Sequence, residues 1–170
     1  MTGLQRLARL RVPLGFLFGA CVFYFAHPTW RTLAAGAAIG LLGEAIRLWA
    51  AGHLEKSREV TRSGPYRYTR HPLYLGSSVM AAGVAVGAGS WVVAALVVLY
   101  MGSTISAAVR TEEAFLRSRF GDEYAAYAER RAPEMERRFS LDRAWRNKEY
   151  RALAGLVLAI VVLGLKAAFW

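Results

Sequence analysis

The chain has 170 residues, of which 55% are hydrophobic, and its formal net charge at pH 7 is +10. A chain of this length would ordinarily fold as one water-soluble domain, but here several long stretches carry almost no charge. Because about 20 apolar residues in a helix cross a hydrocarbon core of about 30 Å, this distribution argues against a soluble fold and predicts an integral membrane protein.

Five membrane-spanning helices are predicted, and they make the chain an all-α integral membrane protein with a single domain, residues 1–170. The third and fourth spans form a tight hairpin that turns at Gly87, Gly89 and Ser90. The charged, amphipathic segment 134–151 is predicted to be an interfacial connector to the last span. The predicted spans are residues 12–29, 32–52, 73–89, 91–109 and 152–170.

The positions of the basic residues predict how these spans are oriented. Nineteen of the 22 Lys and Arg residues lie in the N-terminal segment and in the loops 53–72 and 110–151, on one side of the membrane. Because basic loops stay in the cytosol, we expect a multi-pass protein with a cytosolic N-terminus and cytosolic active-site loops. That membrane would be the inner membrane of a bacterium or the endoplasmic reticulum of a eukaryote. The positive charge fits this topology and attraction to anionic membrane lipids, and no nucleic-acid-binding module is visible.

Cysteine and glycine usage adds two constraints. Cys21 is the single cysteine, which excludes disulfides within the chain and cysteine-rich metal sites. Glycines recur at four-residue spacing, Gly36 with Gly40 and Gly83 with Gly87, and such pairs let helix backbones approach closely in lipid. The pairs could serve within or between chains, so the oligomeric state stays open.

The segment SGPYRYTRHPLYLG, residues 63–76, places polar and cationic side chains at the start of the third span. A Gly-Pro turn precedes it, and Pro72 suits the first turn of the span. Arg70, His71 and the first free N–H groups would then lie at the positive end of a helix, which attracts carboxylates and other anions. The alternative is a belt of interfacial anchors. Aromatic faces able to hold a cation come from Tyr66, Tyr68 and Tyr74.

An acidic pair follows the fourth span on the same side of the membrane. Glu112 and Glu113 would be costly at a membrane exit unless they are solvated or paired. They form either part of a site or a solvated helix start with salt bridges to Arg110 or Arg117. Together with the segment 63–76, they fit a zwitterionic ligand that has both a carboxylate and positive centres.

Two more charges lie within the second span. Glu44 and Arg47 are three residues apart and therefore share one face of a helix. Charges inside a membrane indicate function by default, but an internal ion pair explains them equally well, so both interpretations stay open.

The segment 63–76, followed after a helical hairpin by EEAFLRSRFGDEYAAYAERRAP, resembles the isoprenylcysteine carboxyl methyltransferase family and its phospholipid N-methyltransferase relatives. The resemblance covers residues 40–133 and includes a His-Pro-x-Tyr-x-Gly element and a Glu-Glu…Phe-Gly-x-Glu-Tyr-x-x-Tyr element. It implies a methyltransferase that uses S-adenosylmethionine, releases S-adenosylhomocysteine and takes a lipid or prenylated substrate from the bilayer. Carboxyl O-methylation of an isoprenylcysteine-like or isoprenoid acceptor is expected, and N-methylation of a phosphatidylethanolamine-type phospholipid is the alternative.

The resemblance also implies roles for individual residues in a pocket built from the loops 53–72 and 110–133. For the acceptor, Arg131 or Arg110 would hold a carboxylate, and Glu113 or His71 would assist an amine; Arg131 could equally be a surface arginine. Family members commonly have a substrate-contacting arginine where this chain has Ala108, which leaves carboxyl specificity in question. The helix end and the resemblance together predict these cofactor-binding residues: Glu59, Val60, Thr61, Tyr66, Arg70, His71, Pro72, Leu73, Tyr74 and Glu112.

Two other classes of protein fit parts of the pattern. Membrane sterol and steroid reductases have a similar His-Pro-x-Tyr-x-Gly helix end, but they bind NADPH and are expected to be longer and to lack the Glu112–Glu113 pair. A non-enzymatic membrane subunit could keep the fold without the chemistry. Binding of S-adenosylmethionine, of NADPH or of neither distinguishes the three classes.

Overall fold

The structure is a computed structural model that describes residues 17–170, and within this part of the chain it contains helices and no β-strand. The predicted all-α fold is therefore confirmed. A 3-10 helix, Gly64–Arg67, precedes the third α-helix. The α-helices are α1 (residues 17–25), α2 (Trp30–Ala51), α3 (Pro72–Ala88), α4 (Trp91–Ala128), α5 (Leu141–Arg146) and α6 (Tyr150–Phe169).

Among the described residues, three helices are long and apolar enough to cross a membrane, namely α2, α4 and α6. The helix α3 is apolar but shorter, with 17 residues. These four helices correspond to the second to fifth predicted spans. The first predicted span, residues 12–29, lies partly outside the described residues. The protein is thus an all-α integral membrane protein.

The helices α2 and α3 pack so closely that their backbones touch. A Cβ atom added to Gly83 would lie 2.6 Å from the carbonyl oxygen of Gly36, and one added to Gly43 would lie 2.7 Å from that of Gly76. Helices in lipid associate through close van der Waals contact, and glycine allows the closest approach. The prediction that the spaced glycines serve helix packing is confirmed.

The hairpin between α3 and α4 is also confirmed, but Gly87, which was predicted to belong to its turn, lies within α3. Two residues form the turn. Gly89 has a φ of 62°, a left-handed conformation that glycine adopts readily at the end of a helix. Ser90 then precedes the first residue of α4. The amide of His27 donates to the carbonyl of Ala88 over 2.7 Å, which ties the start of α2 to this turn.

The helix α4 continues far beyond residue 109, where the fourth span was predicted to end. It passes through the acidic pair and ends at Ala128, and it kinks at Gly121, where φ is 45° and ψ is −118°. Such a backbone is strained for any residue with a side chain. The helix α4 therefore consists of two segments and ends before Pro133.

The predicted connector also caps the C-terminal end of α2. The side-chain amide of Asn147 donates to the carbonyl oxygens of Ala51 and Leu54, each over 2.9 Å. The amide of Ser140 donates to the carbonyl oxygen of Gly52 over 3.1 Å. A helix end leaves carbonyl groups without partners, so these bonds fix the loop 53–72 relative to the connector.

Candidate functional site

The two polar blocks, residues 53–72 and 110–133, meet at the start of α3 as expected. The ring nitrogen Nε2 of His71 lies 3.0 Å from Oε1 of Glu113. The guanidinium of Arg70 lies 3.2 Å from the same oxygen. Bonds from charged donors are the stronger kind, so Glu113 fixes the segment before α3 against α4.

The local backbone explains why His71 points to this position. Pro72 occupies the first turn of α3, and His71 caps that helix with φ −131° and ψ 56°. Proline suits this place because it has no N–H to satisfy and its φ already matches a helix. The amide of His71 is bonded to the hydroxyl oxygen of Thr69 over 3.3 Å. The sequence therefore sets the direction of the His71 side chain through its two neighbours.

A second contact joins the blocks beyond the kink of α4. The hydroxyl of Tyr127 donates to the carbonyl oxygen of Tyr66 over 2.8 Å. Because the kink at Gly121 redirects the last segment of α4, Tyr127 lies over the 3-10 helix. The kink at Gly121 therefore helps to position Tyr127 in the site.

Glu112 differs from its neighbour Glu113 in its contacts. It is half-buried, and within residues 17–170 it forms no hydrogen bond or ion pair. Tyr66 is 8% exposed, and burial raises the pKa of its phenol, which the nearby Glu112 carboxylate raises further. The site thus contains a neutral tyrosine and a carboxylate that is available to a ligand.

A cavity of about 180 Å³ adjoins this cluster. Sequence analysis placed Tyr66 and Arg70 in the site but missed Arg130, whose φ of 58° turns the chain after α4. No sequence signal separates Arg130 from Arg131, because both precede the same Ala-Pro step. The lining residues are Tyr66, Arg67, Tyr68, Thr69, Arg70, Tyr127, Ala128 and Arg130.

The two arginines predicted to serve the acceptor do not line this cavity. Arg131 pairs with Glu129 and is 66% exposed, and it does not line the cavity. Arg110 is exposed and has no ion-pair partner among residues 17–170. In the described part of the chain, neither arginine is bonded to His71 or Glu113.

The predicted triplet of residues 59–61 lies in a loop that contacts the connector. The carboxylate of Glu59 accepts two hydrogen bonds from Arg137, over 2.5 and 2.7 Å, and a third from Thr61 over 3.3 Å. Val60 and Thr61 are buried. The Glu59 side chain is therefore occupied, and its backbone remains the part that fits the expected wrapping of a cofactor.

An ion pair between Glu44 and Arg47 was one of two open interpretations, and among residues 17–170 Arg47 pairs with another carboxylate. Arg47 instead donates to both carboxylate oxygens of Glu149, over 2.6 and 3.1 Å. It also donates to the Leu73 carbonyl oxygen over 3.3 Å and to the Ser77 hydroxyl. A guanidinium matches a carboxylate best in this two-bond geometry, which explains why Glu149 is its partner.

Two other predicted residues, Tyr74 and Pro72, lie close to His71. The Tyr74 ring lies 5.9 Å from the His71 ring, between centroids, and Pro72 is buried. Among residues 17–170, no group of three or more His, Cys, Asp and Glu side chains is arranged to hold a metal ion.

Comparison with known proteins identifies several relatives. The sequence model of the phospholipid methyltransferase family matches residues 19–123. The cobalt-zinc-cadmium resistance protein CzcN of Cupriavidus metallidurans is 33% identical over 148 residues, which cover 82% of this chain and 67% of that protein. The nickel-cobalt-cadmium resistance protein NccN of Alcaligenes xylosoxydans xylosoxydans is 35% identical over 122 residues, which cover 68% of this chain and 56% of that protein.

A yeast relative is similar over a shorter range. The protein-S-isoprenylcysteine O-methyltransferase of Schizosaccharomyces pombe is 34% identical over 85 residues, which cover 50% of this chain and 36% of that protein. The chain thus spans between about a third and two thirds of the length of these three relatives. No solved structure matches the chain.

Proposed function

The chain belongs to the phospholipid methyltransferase family, and we propose that it transfers a methyl group from S-adenosylmethionine to a lipophilic acceptor at the cytosolic membrane face. The family resemblance predicted from the two sequence elements is confirmed by this match and by the yeast relative. The matched residues include α2, α3, the segment 63–76 and the acidic pair. The membrane methyltransferase class therefore has support independent of the site geometry.

The observation that carries the cofactor assignment is the Glu112 carboxylate, which lies near Tyr66 and has no hydrogen-bond or ion-pair partner among residues 17–170. S-adenosylmethionine has an amine, a carboxylate, ribose hydroxyls and a sulfonium. Glu112 can accept hydrogen bonds from the amine or the ribose. The N–H groups at the start of α3, with Arg70 and His71, suit the carboxylate, and the tyrosine faces suit a cation. The residues present therefore fit the cofactor.

When bound, S-adenosylmethionine supplies an activated methyl group that the acceptor atom takes by in-line displacement. The residues of the chain then have to orient the acceptor and exclude water, which contributes about 7–11 kcal/mol in well-aligned systems. A carboxylate acceptor needs a cation beside it, and Arg110, which has no ion-pair partner in the described part of the chain, can provide one. Arg131 would first have to leave Glu129.

The geometry favours a carboxylate over an amine as acceptor. An amine must lose a proton before it attacks. Glu113, the acidic residue predicted to assist an amine acceptor, already interacts with His71 and Arg70. We therefore propose carboxyl O-methylation of an isoprenylcysteine-like or isoprenoid acid. The family match supports N-methylation of a phospholipid amine as the second candidate.

The cofactor assignment is tested by calorimetric titration of the detergent-purified chain with S-adenosylhomocysteine and, in parallel, with NADPH. We expect micromolar binding of the first ligand alone and at least a tenfold loss in Glu112→Gln. Glu136→Gln, a change at an exposed carboxylate in the connector, is the matched control and should bind normally. Binding of NADPH alone would replace the proposal with a reductase, and binding of neither ligand would support a non-enzymatic subunit.

The acceptor is tested with S-adenosylmethionine that carries a labelled methyl group, offered with a prenylated cysteine acid or with phosphatidylethanolamine. Label should enter the acid as a base-labile ester. Arg110→Gln should slow this transfer at least tenfold without changing S-adenosylhomocysteine affinity, whereas Arg119→Gln, at another exposed arginine of α4, should not. Label in phosphatidylethanolamine alone would select the amine instead.

A further inference from the structure

A second cavity, of about 530 Å³, lies between α2, α3, α4 and α6 and is open to the surroundings on one side. It shares no residue with the 180 Å³ cavity or with the His71–Glu113 pair. Its α3 residues include Ser77, Met80 and Val84, and helical spacing places these on a different face of α3 from His71. A ligand in this cavity would therefore lie apart from the candidate methyl-transfer site.

Small residues create the space in this cavity. Ala152, Gly155 and Ala159 present no long side chain from α6, and a Cβ added to Gly155 would meet nothing within 4 Å. The opposing walls are apolar, with Met80 and Met101 among them. The volume lies within the range of about 300–1,000 Å³ that is usual for ligand pockets. The walls therefore suit a hydrocarbon chain.

One end of the cavity carries an uncompensated positive charge. Arg47 and Arg151 both line it. The charge of Arg47 is balanced by Glu149, its two-bond partner. Arg151 has no carboxylate partner within residues 17–170, and its guanidinium lies 5.9 Å from the centre of the Tyr150 ring. Arg151 also belongs to the first turn of α6, the end of a helix that favours anions.

From this arrangement we infer that the cavity binds one anionic phospholipid of the bilayer, with its phosphate at Arg151 and one acyl chain against Met80 and Met101. A guanidinium binds phosphate oxygens through two parallel bonds. Basic pockets between membrane helices are recognised sites for anionic headgroups. A zwitterionic lipid would also bring a positive group close to Arg151. We therefore expect it to bind more weakly, because the two positive charges repel each other. A soluble phosphate lacks the chain that fills the apolar part.

Native mass spectrometry of the full chain in mild detergent tests this inference. Phosphatidylglycerol and phosphatidylcholine with identical acyl chains are added at equal concentration. We expect one retained phosphatidylglycerol per chain, at least tenfold preferred over phosphatidylcholine. Arg151→Gln should remove the preference. Inorganic phosphate in excess should not displace the lipid.

The cavity itself is tested with a pair of neighbouring substitutions on α6. Ala159→Phe fills the cavity and should abolish retention, whereas Leu158→Phe lies at a position that is 63% exposed and should leave it unchanged. Normal binding of S-adenosylhomocysteine by Ala159→Phe would show that the chain still folds, and Gly155→Leu is the replacement if it does not. Equal retention of both lipids, or retention by Arg151→Gln that equals the wild type, would overturn the inference. Methylation of the retained lipid would also overturn it, because the lipid would then be the acceptor.

Discussion

The pair formed by Arg47 and Glu149 gives the sharpest test of how the bundle is held together. The side chains are 20% and 5% exposed, so water screens the pair only weakly. Arg47→Met would leave the Glu149 carboxylate without its guanidinium donor, whereas the Leu73 carbonyl oxygen would keep its bond from the Ser77 hydroxyl. Removing one partner of a buried pair costs about 3–5 kcal/mol, and the exposed part of Arg47 argues for the lower end.

A loss of about 3 kcal/mol lowers the melting temperature of a chain of this size by about 10 °C. Thermal unfolding in mild detergent, followed by circular dichroism at helical wavelengths, measures the shift. Arg119→Met changes an exposed arginine without an ion pair in the described part of the chain, and its melting temperature should change by no more than about 2 °C.

A double-mutant cycle decides whether the pair itself is responsible. The variant with both Arg47→Met and Glu149→Gln leaves neither member of the pair behind as an unpaired charge. The stability that the double variant loses should therefore be smaller than the summed losses of the two single variants, by about 1–3 kcal/mol. Strictly additive losses, or a wild-type melting temperature for Arg47→Met, would refute the contribution assigned to this pair.

Two further predictions concern helix packing and acid stability. Gly43→Ala adds a Cβ only 2.7 Å from the carbonyl oxygen of Gly76 and should lower the free energy of unfolding by about 1–3 kcal/mol. Gly102→Ala, whose Cβ meets nothing within 4 Å, should be neutral or stabilising. Equal melting temperatures of the two variants would contradict the close packing. The hydrogen bond from Arg143 holds the pKa of Glu55 below its usual value, so the stabilisation is present above the unfolded pKa of about 4.3 and is lost as the pH falls through the folded pKa. Melting curves between about pH 3 and 7 should therefore show less acid destabilisation in Glu55→Gln than in the wild type; parallel pH curves would exclude this contribution.

Features that depend on residues close together in the chain could be predicted from the sequence. The hairpin at Gly89, the helix start at Pro72 and the packing glycines each follow from local backbone preference or from a spacing of a few residues. The meeting of the two polar blocks followed from topology, since basic loops gather on one membrane side. These features supplied the start of α3 and the acidic pair of the candidate site.

Other features depend on partners that no local pattern reveals. The partner of Arg47 lies 102 residues away, whereas helical spacing offered Glu44, the acidic residue on the same face. The fourth span was predicted to end at residue 109 because charged residues begin at Arg110. A helix need not end where the hydrocarbon ends, however, and α4 continues to Ala128. The left-handed backbone conformation of Arg130 could not be predicted from the sequence either, since this conformation is usual only for glycine.

The length of α3 explains why so many polar contacts collect at its start. Its 17 residues span about 26 Å at 1.5 Å per residue, less than the hydrocarbon thickness of about 30 Å. The first turn therefore lies near the hydrocarbon boundary, where polar groups need partners inside the protein. His71 finds Glu113 on α4, and the Leu73 carbonyl oxygen finds Arg47 on α2. Both sides of this turn are therefore held by other helices, α4 through Glu113 and α2 through Arg47.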